Sequence, residues 1–315
     1  MTTVTVVGEV IVDQVYTHDG LAIVGGGSAA NMALALARAG VSVSLRARFS
    51  QDKNGQFLRN VAIDNGVDVS DSIDAPEPAT VVDVTLDAQG IPRYTFPLDP
   101  TADWQWTKEE ISKPLPPDTK VVICGSLAAV LDPGARPQLD WVKEIQLANH
   151  NARIDSPKIR VFFDPNARPN ALEQLHVVEK SKERIQEWIS LADVVKVSQE
   201  DIEWLDPSEP PPSVAKAWSK LGPRLVVMTR GADGVAAYQD GEEIVTMPAP
   251  TVEVADTVGA GDTFMAWLAR GYVEHEGRLF SDVAILKQVL NKAANAAAVN
   301  CSRVGCNPPR LVDLD

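Results

Sequence analysis

Two aspartates flank a run of very small residues at the start of an apolar helix near the carboxyl end of the chain. The stretch ADTVGAGDTFMAWLARG covers residues 255–271 and places Gly259, Ala260 and Gly261 directly before Asp262. Small residues at a helix start leave backbone N–H groups unobstructed, and such a nest binds an anion with help from the helix dipole. We therefore treat this stretch as a candidate anion site.

Asp262 has two interpretations at this place. An aspartate repels an anion, but it suits a site where it removes a proton from a hydroxyl while the N–H groups stabilise a phosphoryl group in transfer. Phosphoryl transfer to an alcohol needs both parts. The alternative is a glycine turn in which Asp262 serves only as an N-cap. The stretch alone does not choose between the two.

A second glycine cluster lies near the amino end. The stretch VGGGSAANMALALARAG fits the dinucleotide-binding pattern G-x-G-x-x-A through Gly25, Gly27 and Ala30. That fingerprint should follow directly after the first strand, yet we predict a loop between Asp13 and Gly25. No clean second strand ending in an acidic residue follows either. The residues around the pattern therefore argue against a dehydrogenase.

Composition narrows the class of protein. The 315 residues, 45% of them apolar, can bury a full core as one large domain or one domain with an appendage. The net charge of -14 disfavours nucleic acid and anionic membranes as partners. We find no apolar run of membrane-spanning length and no signal segment, and the three cysteines suit neither a disulfide framework nor a zinc site. We expect a cytoplasmic protein.

Short apolar runs rich in β-branched residues alternate with stretches of helical period. The predicted strands are VTVVGEVIVD (residues 4–13), VSVSLRARF (41–49), KVVICG (120–125), RVFFDPN (160–166), DVVKVS (193–198) and RLVVMTRG (224–231). The predicted helices are AANMALALARAG (29–40), NGQFLRNVAIDNG (54–66) and KSKERIQEWISLA (180–192). This alternation predicts a three-layer α/β sandwich with a mostly parallel central sheet.

One region breaks the alternation. Residues 80–99 alternate polar and apolar side chains around Gly90, which predicts a hairpin. Together with the residues after Val10, this hairpin is expected to form a small sheet that stands off the main layer. A projecting hairpin beside an α/β sheet is a plausible lid over a ligand site. The proline-rich stretch DPSEPPPS, residues 206–213, is predicted to be a surface loop.

Three stretches occur in one order along the chain: GEVIVD near the start, GGSAANMALALARAG after it, and DTVGAGDTF near the end. In this order and spacing they resemble the PfkB/ribokinase family of sugar kinases, whose C-terminal signature the last stretch matches. The resemblance runs nearly end to end. It implies a single ribokinase-like domain over residues 1–315, with a small β-lid formed by about residues 10–20 and 80–100.

Further stretches are similar to one branch of that family. GEVIVD again, with FPLDPTADWQW, DPNAR, KVSQEDIEWL and NCSRVGCNPP, resembles bacterial fructokinases, and the five occur in order. The resemblance implies ATP as the phosphate donor. It also implies that Asp262 is the catalytic base and that Gly259, Ala260 and Gly261 form the anion hole.

The same match implies which positions hold the sugar. The residues that correspond to the hydroxyl-binding positions are Asp13, Gly26, Gly27 and Asn31. A carboxylate and an amide can fix a polyol, and glycines let the backbone approach it closely. For Asn31 the alternative is a capping residue in the first turn of a helix.

The nucleotide-binding positions follow from the resemblance as well. The loop beside the nucleotide corresponds to Thr229, Gly231 and Gly234 in TRGADG. Asn295 and its neighbours are expected to line the adenine pocket. Ser198 stands where the wider family commonly has asparagine, and serine is familiar there among fructokinases.

Metal-binding positions are matched less completely. The family segment Asn-x-x-Glu, linked to magnesium and phosphate, is Ser-Gln-Glu-Asp at residues 198–201. Asp201 keeps the charge but has a shorter reach, which leaves a contact through water or a substitution by Glu200. In family members that bind potassium, the equivalents of the site are Asp256 and the carbonyl of Val258. The sequence does not decide whether that ion is bound.

Four residues bear on the acceptor. Relatives that phosphorylate sugar phosphates carry a lysine where this chain has Ser28, which favours a neutral sugar. Arg168 lies in a D-x-N-x-R pattern that also occurs in 2-keto-3-deoxygluconate kinases, so it can serve a substrate carboxylate, the ATP phosphates or an ion pair on a loop. Phe96 and Arg93, on the expected lid, either contact the sugar or belong to an exposed strand.

The resemblance thus predicts a magnesium- and ATP-dependent sugar kinase, with D-fructose converted to fructose 6-phosphate as the leading reaction. A 2-keto-3-deoxygluconate kinase, or another sugar or nucleoside kinase of the family, is the alternative. A non-catalytic sugar- or nucleotide-binding regulator is an alternative of another class. Homodimers formed through the lid are common in the family, and the sequence leaves this open.

Overall fold

The structure is a computed structural model that describes residues 2–17, 20–86, 92–97, 99–153 and 157–314. The strands are β1 (Val4–Val7), β2 (Ile11–Thr17), β3 (Gly20–Gly26), β4 (Val43–Arg46), β5 (Arg48–Ser50), β6 (Ile73–Ala75), β7 (Thr80–Leu86), β8 (Pro92–Thr95), β9 (Val121–Gly125), β10 (Arg160–Asp164), β11 (Val194–Ser198), β12 (Leu225–Thr229), β13 (Val235–Gln239) and β14 (Glu242–Met247). The helices are α1 (Ser28–Arg38), α2 (Lys53–Asp64), α3 (Lys108–Ile111), α4 (Ala135–Asn151), α5 (Pro169–Gln174), α6 (Val178–Leu191), α7 (Gln199–Leu205), α8 (Pro211–Trp218), α9 (Ala260–Glu274) and α10 (Val283–Cys301).

Eight strands form the central sheet, in the order β14-β13-β12-β11-β10-β9-β1-β4. Every pair from β12 to β4 is parallel, and β13 and β14 close one edge as antiparallel strands. Because helices cover both faces of a parallel sheet, its strands are nearly continuous apolar runs. The predicted mostly parallel sheet is confirmed.

Buried apolar side chains form two clusters, one on each face of this sheet. Successive strand residues point to opposite faces, so Phe162 joins the cluster of α1, α2, α9 and α10, whereas Phe163 joins that of α4 to α8. Phe163 stacks on Trp188 of α6, with ring centroids 5.2 Å apart. The predicted three-layer sandwich is therefore confirmed. In the part of the chain that is described, no helix is both long and apolar enough to span a membrane.

Two predicted strands are each divided in the structure. The run at residues 4–13 splits into β1, in the central sheet, and β2, in another sheet. The chain turns away where the N–H of Val10 donates to Asp103 Oδ1 at 2.7 Å instead of continuing the ladder. The run at residues 41–49 splits at Ala47, and β5 pairs with β6 in a small two-stranded sheet.

Two predicted loops contain regular structure. The segment between Asp13 and Gly25 contributes to an antiparallel hairpin of β2 and β3, although His18 lies outside the described residues. The predicted surface loop at residues 206–213 is a loop only over residues 206–210. Helix α8 begins at Pro211, because proline is well accommodated in the first turn of a helix.

A second sheet of four strands, in the order β3-β2-β7-β8, contains the polar-apolar alternation predicted to be a hairpin. β7 and β8 are antiparallel, as that prediction requires, while Gly90 at its turn lies outside the described residues. β2 pairs with β7 in parallel and with β3 in antiparallel orientation. The sequence did not predict β3, which adds an edge strand.

A buried aspartate ties the second sheet to the main body. Asp103 accepts the Val10 N–H at one oxygen and contacts the Thr80 hydroxyl at the other. The Thr80 and Thr101 hydroxyls are themselves 2.6 Å apart. Burial raises the pKa of Asp103 to about 7, although the bonds from Thr80 and Val10 act in the opposite direction. Asp103 therefore fixes the points where β2 and β7 begin.

We predict that Asp103 makes stability depend on pH. Its folded-state pKa of about 7 exceeds the ordinary value of about 3.9, so its contribution is complete in acid and is lost as the pH rises towards 7. Asp103→Asn can keep both contacts without titrating. Its stability relative to wild type should rise by about 1.4 kcal/mol per pH unit between about pH 4 and pH 7. Urea unfolding across this range measures the difference, and parallel curves would contradict the assignment.

Candidate active site

Asp262 lies in the first turn of α9, where it is buried. The helix begins at Ala260 and its N-cap is Gly259, in a left-handed conformation with φ of 75°. No side chain caps this end of the helix. Asp262 is therefore not an N-cap, which removes the simpler of the two interpretations of this stretch.

The N–H groups of Gly259, Ala260 and Gly261 were predicted to be free, and in the part of the chain that is described two of the three are free. The Ala260 N–H donates to the carbonyl of Thr257 at 3.2 Å, so it closes a turn. The N–H groups of Gly259, Gly261 and Asp262 have no hydrogen-bond partner among the described residues. Uncompensated N–H groups at a helix N-terminus attract an anion. The available donors thus include Asp262 itself and exclude Ala260.

Two side chains of α1 fix the Asp262 carboxylate. Ser28 Oγ donates to Oδ1 at 2.6 Å, and Asn31 Nδ2 donates to Oδ2 at 2.9 Å. Asn31 was predicted to lie in the site, and its amide binds Asp262 of another helix instead of capping its own helix. The bond from Ser28 was not predicted, because the sequence showed only that this position carries no positive charge. The N-termini of α1 and α9 therefore meet at one carboxylate.

A buried glutamate positions the start of α1. Glu9 accepts the N–H of Ser28 at 3.3 Å and that of Ala128 at 3.2 Å. Its own carbonyl would lie 2.5 Å from a Cβ at residue 27, so Gly27, with φ of 100°, is required there. Burial raises the pKa of Glu9. The sequence analysis missed this residue, whose signal is an acidic side chain between two apolar strands.

Asp13 on β2 lies beside bare backbone. A Cβ on Gly26 would stand 2.5 Å from Asp13 Oδ2, so glycine lets the carboxylate approach the chain. Asp13 Oδ1 is buried and has no hydrogen-bond partner among the described residues. Burial raises the pKa of Asp13 to about 6, while the positive charge of Arg168 lowers it. Such an oxygen is suited to accept a hydrogen bond from a ligand hydroxyl.

Arg168 and Tyr94 lie near this carboxylate. Arg168 is exposed and is the N-cap residue of α5, after a left-handed turn at Asn166. Burial and the charge of Asp13 raise the pKa of Tyr94, and the charge of Arg168 lowers it. The sequence analysis did not single out Tyr94, because its proximity to Asp13 depends on the pairing of β7 with β8.

Phe96, predicted to contact the sugar, belongs to the hydrophobic core. Its ring is buried, and its carbonyl accepts Gln174 Nε2 at 2.9 Å. It lines a cavity of about 230 Å³ together with Trp104 and Leu131, and Asp13 and Asp262 are not among the lining residues described. The structure therefore gives Phe96 a packing role and does not bring it to Asp262. The side chain of Arg93 lies outside what the structure describes.

The predicted nucleotide-side residues lie at the carboxyl edge of the central sheet. Ser198 and Thr229 are partners at the ends of the parallel strands β11 and β12. The loop after β12 contains Gly231 and Gly234, with φ of 53° and 93°. Asn295, on α10, donates to the carbonyl and side-chain oxygens of Asn291, both at 2.9 Å. Its amide is thus bonded within its own helix.

Asp201 closes the start of α7. It accepts the N–H of Ala167 at 3.0 Å and that of Ser198 at 3.4 Å, and the Ser198 hydroxyl accepts the Asp201 N–H at 3.0 Å. In the described residues, no group of three or more histidine, cysteine or acidic side chains forms a metal cage. Magnesium at phosphates commonly uses one or two carboxylates and several waters. Asp201 therefore suits magnesium only as a single carboxylate beside a phosphate.

Asp256 and Val258 belong to a fixed loop. Asp256 accepts the N–H groups of Val258 at 3.0 Å and Gly305 at 2.8 Å. The Val258 carbonyl accepts Asn300 Nδ2 at 2.7 Å, and Asn300 is fully buried. A carbonyl oxygen has a second lone pair, so these oxygens remain suited to a monovalent cation.

Comparison with known proteins gives a consistent result. The model of the pfkB family of carbohydrate kinases matches residues 1–312. A fructokinase from Rhizobium leguminosarum bv. trifolii is 29% identical over 266 residues, which are 82% of this chain and 76% of that protein. The solved structure of a fructokinase with bound ATP from Xylella fastidiosa aligns with a TM-score of 0.86 at 22% identity, covering 100% of this chain and 98% of that one.

A second solved structure carries ligands at a similar level of likeness. A fructokinase double mutant from Vibrio cholerae O395, bound to fructose, ADP and a potassium ion, aligns with a TM-score of 0.81 at 22% identity. The alignment covers 97% of this chain and 94% of that one. At this identity the likeness shows a common fold.

We predict that Gly26→Ala weakens binding of the hydroxyl-bearing acceptor at Asp13. The new Cβ would lie 2.5 Å from Asp13 Oδ2 and displace the carboxylate. The KM for the acceptor should rise about tenfold or more, with unfolding temperature nearly unchanged. Gly25→Ala is the matched control, because its Cβ meets the Leu58 side chain at 3.4 Å, close to ordinary contact. Equal KM values for the two variants would contradict the role of Gly26.

Proposed function

The chain belongs to the pfkB family of carbohydrate kinases, and from this premise we propose that it transfers the γ-phosphate of ATP to a primary hydroxyl of D-fructose. The observation that carries the proposal is the arrangement at Asp262. A buried carboxylate, held by two donors, stands beside N–H groups that are free to bind an anion. A base next to an anion hole is what phosphoryl transfer to an alcohol requires.

Asp262 acts as the general base in this proposal. It accepts the proton of the sugar hydroxyl while the hydroxyl oxygen forms a bond to the γ-phosphorus. The bond from that phosphorus to the bridging oxygen breaks, and its electron pair leaves with ADP. The hydrogen bonds from Ser28 and Asn31 keep the carboxylate oriented, and the N–H groups of Gly259, Gly261 and Asp262 bind the phosphoryl oxygens. Bound magnesium would neutralise phosphate charge.

The sugar is held at Asp13. Its free oxygen accepts one or more hydroxyl hydrogens, and Gly26 and Gly27 allow the sugar to approach the backbone. Asn31 retains its side-chain carbonyl as an acceptor, because its amide nitrogen is the atom that donates to Asp262. These residues place a hydroxyl between Asp13 and the base.

The nucleotide lies along the carboxyl edge of β11 and β12. Ser198, Thr229, Gly231 and Gly234 are the residues proposed to border it. Asn295 is the proposed adenine-side residue, after it exchanges its bonds to Asn291. Asp201 is the proposed carboxylate for magnesium, in direct contact or through a water. Asp256 and the Val258 carbonyl are proposed to bind potassium, in keeping with the ion in the Vibrio cholerae structure.

The second sheet is proposed to act as a lid. It carries Asp13, so its closure would bring the sugar to Asp262 and exclude water, which limits wasteful ATP hydrolysis. Tyr16, Leu21 and Ile23 expose apolar surface on its β2 and β3 strands. The homodimer through the lid stays a prediction, as does a cytoplasmic location.

Fructose is favoured as the acceptor for two reasons. The fructokinase from Rhizobium leguminosarum bv. trifolii is 29% identical to this chain, and Ser28 is used to hold Asp262, which leaves no cation for a sugar phosphate at that position. Arg168 supports a second candidate, 2-keto-3-deoxygluconate, because an exposed guanidinium near Asp13 and Tyr94 can bind a carboxylate. A non-catalytic regulator would not need the base at Asp262.

The test is ADP release with magnesium-ATP. Acceptors are D-fructose, 2-keto-3-deoxygluconate, D-ribose and adenosine, with a sample lacking acceptor. We expect fructose to be preferred and Asp262→Asn to lower kcat roughly 10²–10⁴-fold with ATP binding retained. Near-normal turnover of that variant would disprove the mechanism. Preference for the keto-acid would assign Arg168 to the carboxylate, and nucleotide binding without turnover of any acceptor would favour the regulator.

A second prediction concerns pH. The pKa of Asp13 is raised to about 6, so Asp13 loses its full acceptor capacity as the pH falls below that value. We expect kcat/KM for the sugar to decline below about pH 6, since this ratio reports groups of the free enzyme. Asp13→Asn should remove that inflection while raising KM. A wild-type profile that stays flat down to pH 5 would contradict the assignment.

A further inference from the structure

A buried ion pair lies beneath the first turn of α9. Lys196 Nζ donates to Asp164 Oδ2 at 2.7 Å. Asp164 is the last residue of β10, and Lys196 is the middle residue of the neighbouring parallel strand β11. The Lys196 side chain is 4% exposed and the Asp164 side chain is fully buried. Among the described residues, Asp164 is the hydrogen-bond partner of this ammonium and no other is found. Two of its hydrogens are therefore unassigned.

The ammonium lies close to Gly261, at the start of α9. A Cβ on Gly261 would stand 2.9 Å from Lys196 Nζ, and Gly261 itself is exposed. Glycine at this position thus gives the ammonium room directly under the free N–H groups of the helix. A phosphoryl group bound at those N–H groups would lie within reach of Nζ.

The pair is not explained by stability. Replacing a buried ion pair with apolar residues of similar size is often neutral or stabilising, because both charges lose water. A cation also opposes the positive end of a helix dipole. Asp164 Oδ1 is buried without a partner among the described residues, which adds to the cost. These three effects all lower the stability of the folded chain. A bound anion would offset them, so the ion pair suits an anion-binding site.

Nearby charges keep Lys196 protonated. Burial lowers its pKa, but the carboxylates of Asp164, Asp201 and Asp262 raise it more, and the net change is upward. For Asp164, burial raises the pKa to about 6 against the effect of Lys196. The ammonium therefore keeps its proton at neutral pH and acts as a fixed positive charge.

Building on the kinase function above, we propose that Lys196 is a further catalytic residue, whose ammonium binds the γ-phosphoryl oxygens from beneath Gly261 while Asp164 holds it in place. Lys196 keeps its proton throughout. The hydroxyl proton passes to Asp262, and the electron pair of the broken bond leaves with ADP. The negative charge gathered on the phosphoryl oxygens is thus met by N–H groups on one side and by the ammonium on the other.

The binding test compares nucleotides with and without the γ-phosphate. Lys196→Met should raise the Kd of a non-hydrolysable ATP analogue on the order of tenfold or more, while the Kd of ADP changes little. Arg160→Met is the matched control. Arg160 begins β10 and pairs at 2.7 Å with Asp193, which directly precedes β11, so this ion pair lies at the amino ends of the same two strands. It should leave both Kd values unchanged. Equal weakening of both nucleotides by Lys196→Met, or of neither, would overturn the proposal.

A double variant separates catalysis from folding. Lys196→Met alone leaves Asp164 unpaired and should lower the unfolding temperature. Asp164→Leu combined with Lys196→Met removes both charges and should restore the unfolding temperature, but not kcat. Recovery of kcat with stability would make the pair merely structural and overturn the proposal. Failure of the wild-type chain to bind the ATP analogue would instead refute the kinase function itself.

Discussion

The hydrogen bonds that join α1 to Asp262 are the contact on which the site depends. The N-cap residue of each helix is a glycine with positive φ, Gly27 for α1 and Gly259 for α9, which has no side chain to cap the helix. At α1 the Glu9 carboxylate accepts the Ser28 N–H instead, whereas at α9 no side chain takes this place among the described residues. A helix without a cap leaves N–H groups free, and this is normally a cost. Here the carboxylate of one helix is satisfied by side chains of the other, so the free N–H groups of α9 remain available to a ligand. Glu9 supports this geometry, because it binds the N–H of Ser28 at the start of α1.

The sequence predicted those features that depend on short-range pattern. Local periodicity predicted the parallel strands and the layers of helices. The small residues before Asp262 predicted a helix start with free N–H groups, because glycine tolerates unusual backbone angles. The resemblance also assigned Asp13 and Gly26 to one predicted site, and the structure places the two residues side by side. A local pattern does not predict contacts made over long separations, such as the bond from Ser28 to Asp262, which spans 234 positions.

Other differences between the sequence analysis and the structure have equally physical causes. The apolar run at residues 4–13 looks continuous, yet Asp103, far along the chain, binds Val10 and redirects it. The pairing of Lys196 with Asp164 requires the register of β10 against β11, which a sequence does not show. Phe96, in the alternating segment, was predicted either to contact the sugar or to belong to an exposed strand; the structure buries its ring in the core, and the sugar contact stays a prediction. Ala260 was counted among the anion-binding residues, although a local turn uses its N–H.

Residues of the candidate site come from elements on both faces of the central sheet. Asp262 and the donors that orient it are on α1 and α9, which pack on one face of the central sheet. Arg168 opens α5, which packs on the other face, and Asp13 belongs to the second sheet. Substitutions in the layer of α4 to α8 would change the surroundings of the proposed acceptor near Arg168, while Asp262 and its donors on α1 keep their spacing. Under the proposed function, this partition would let sugar specificity change while the catalytic residues stay in place.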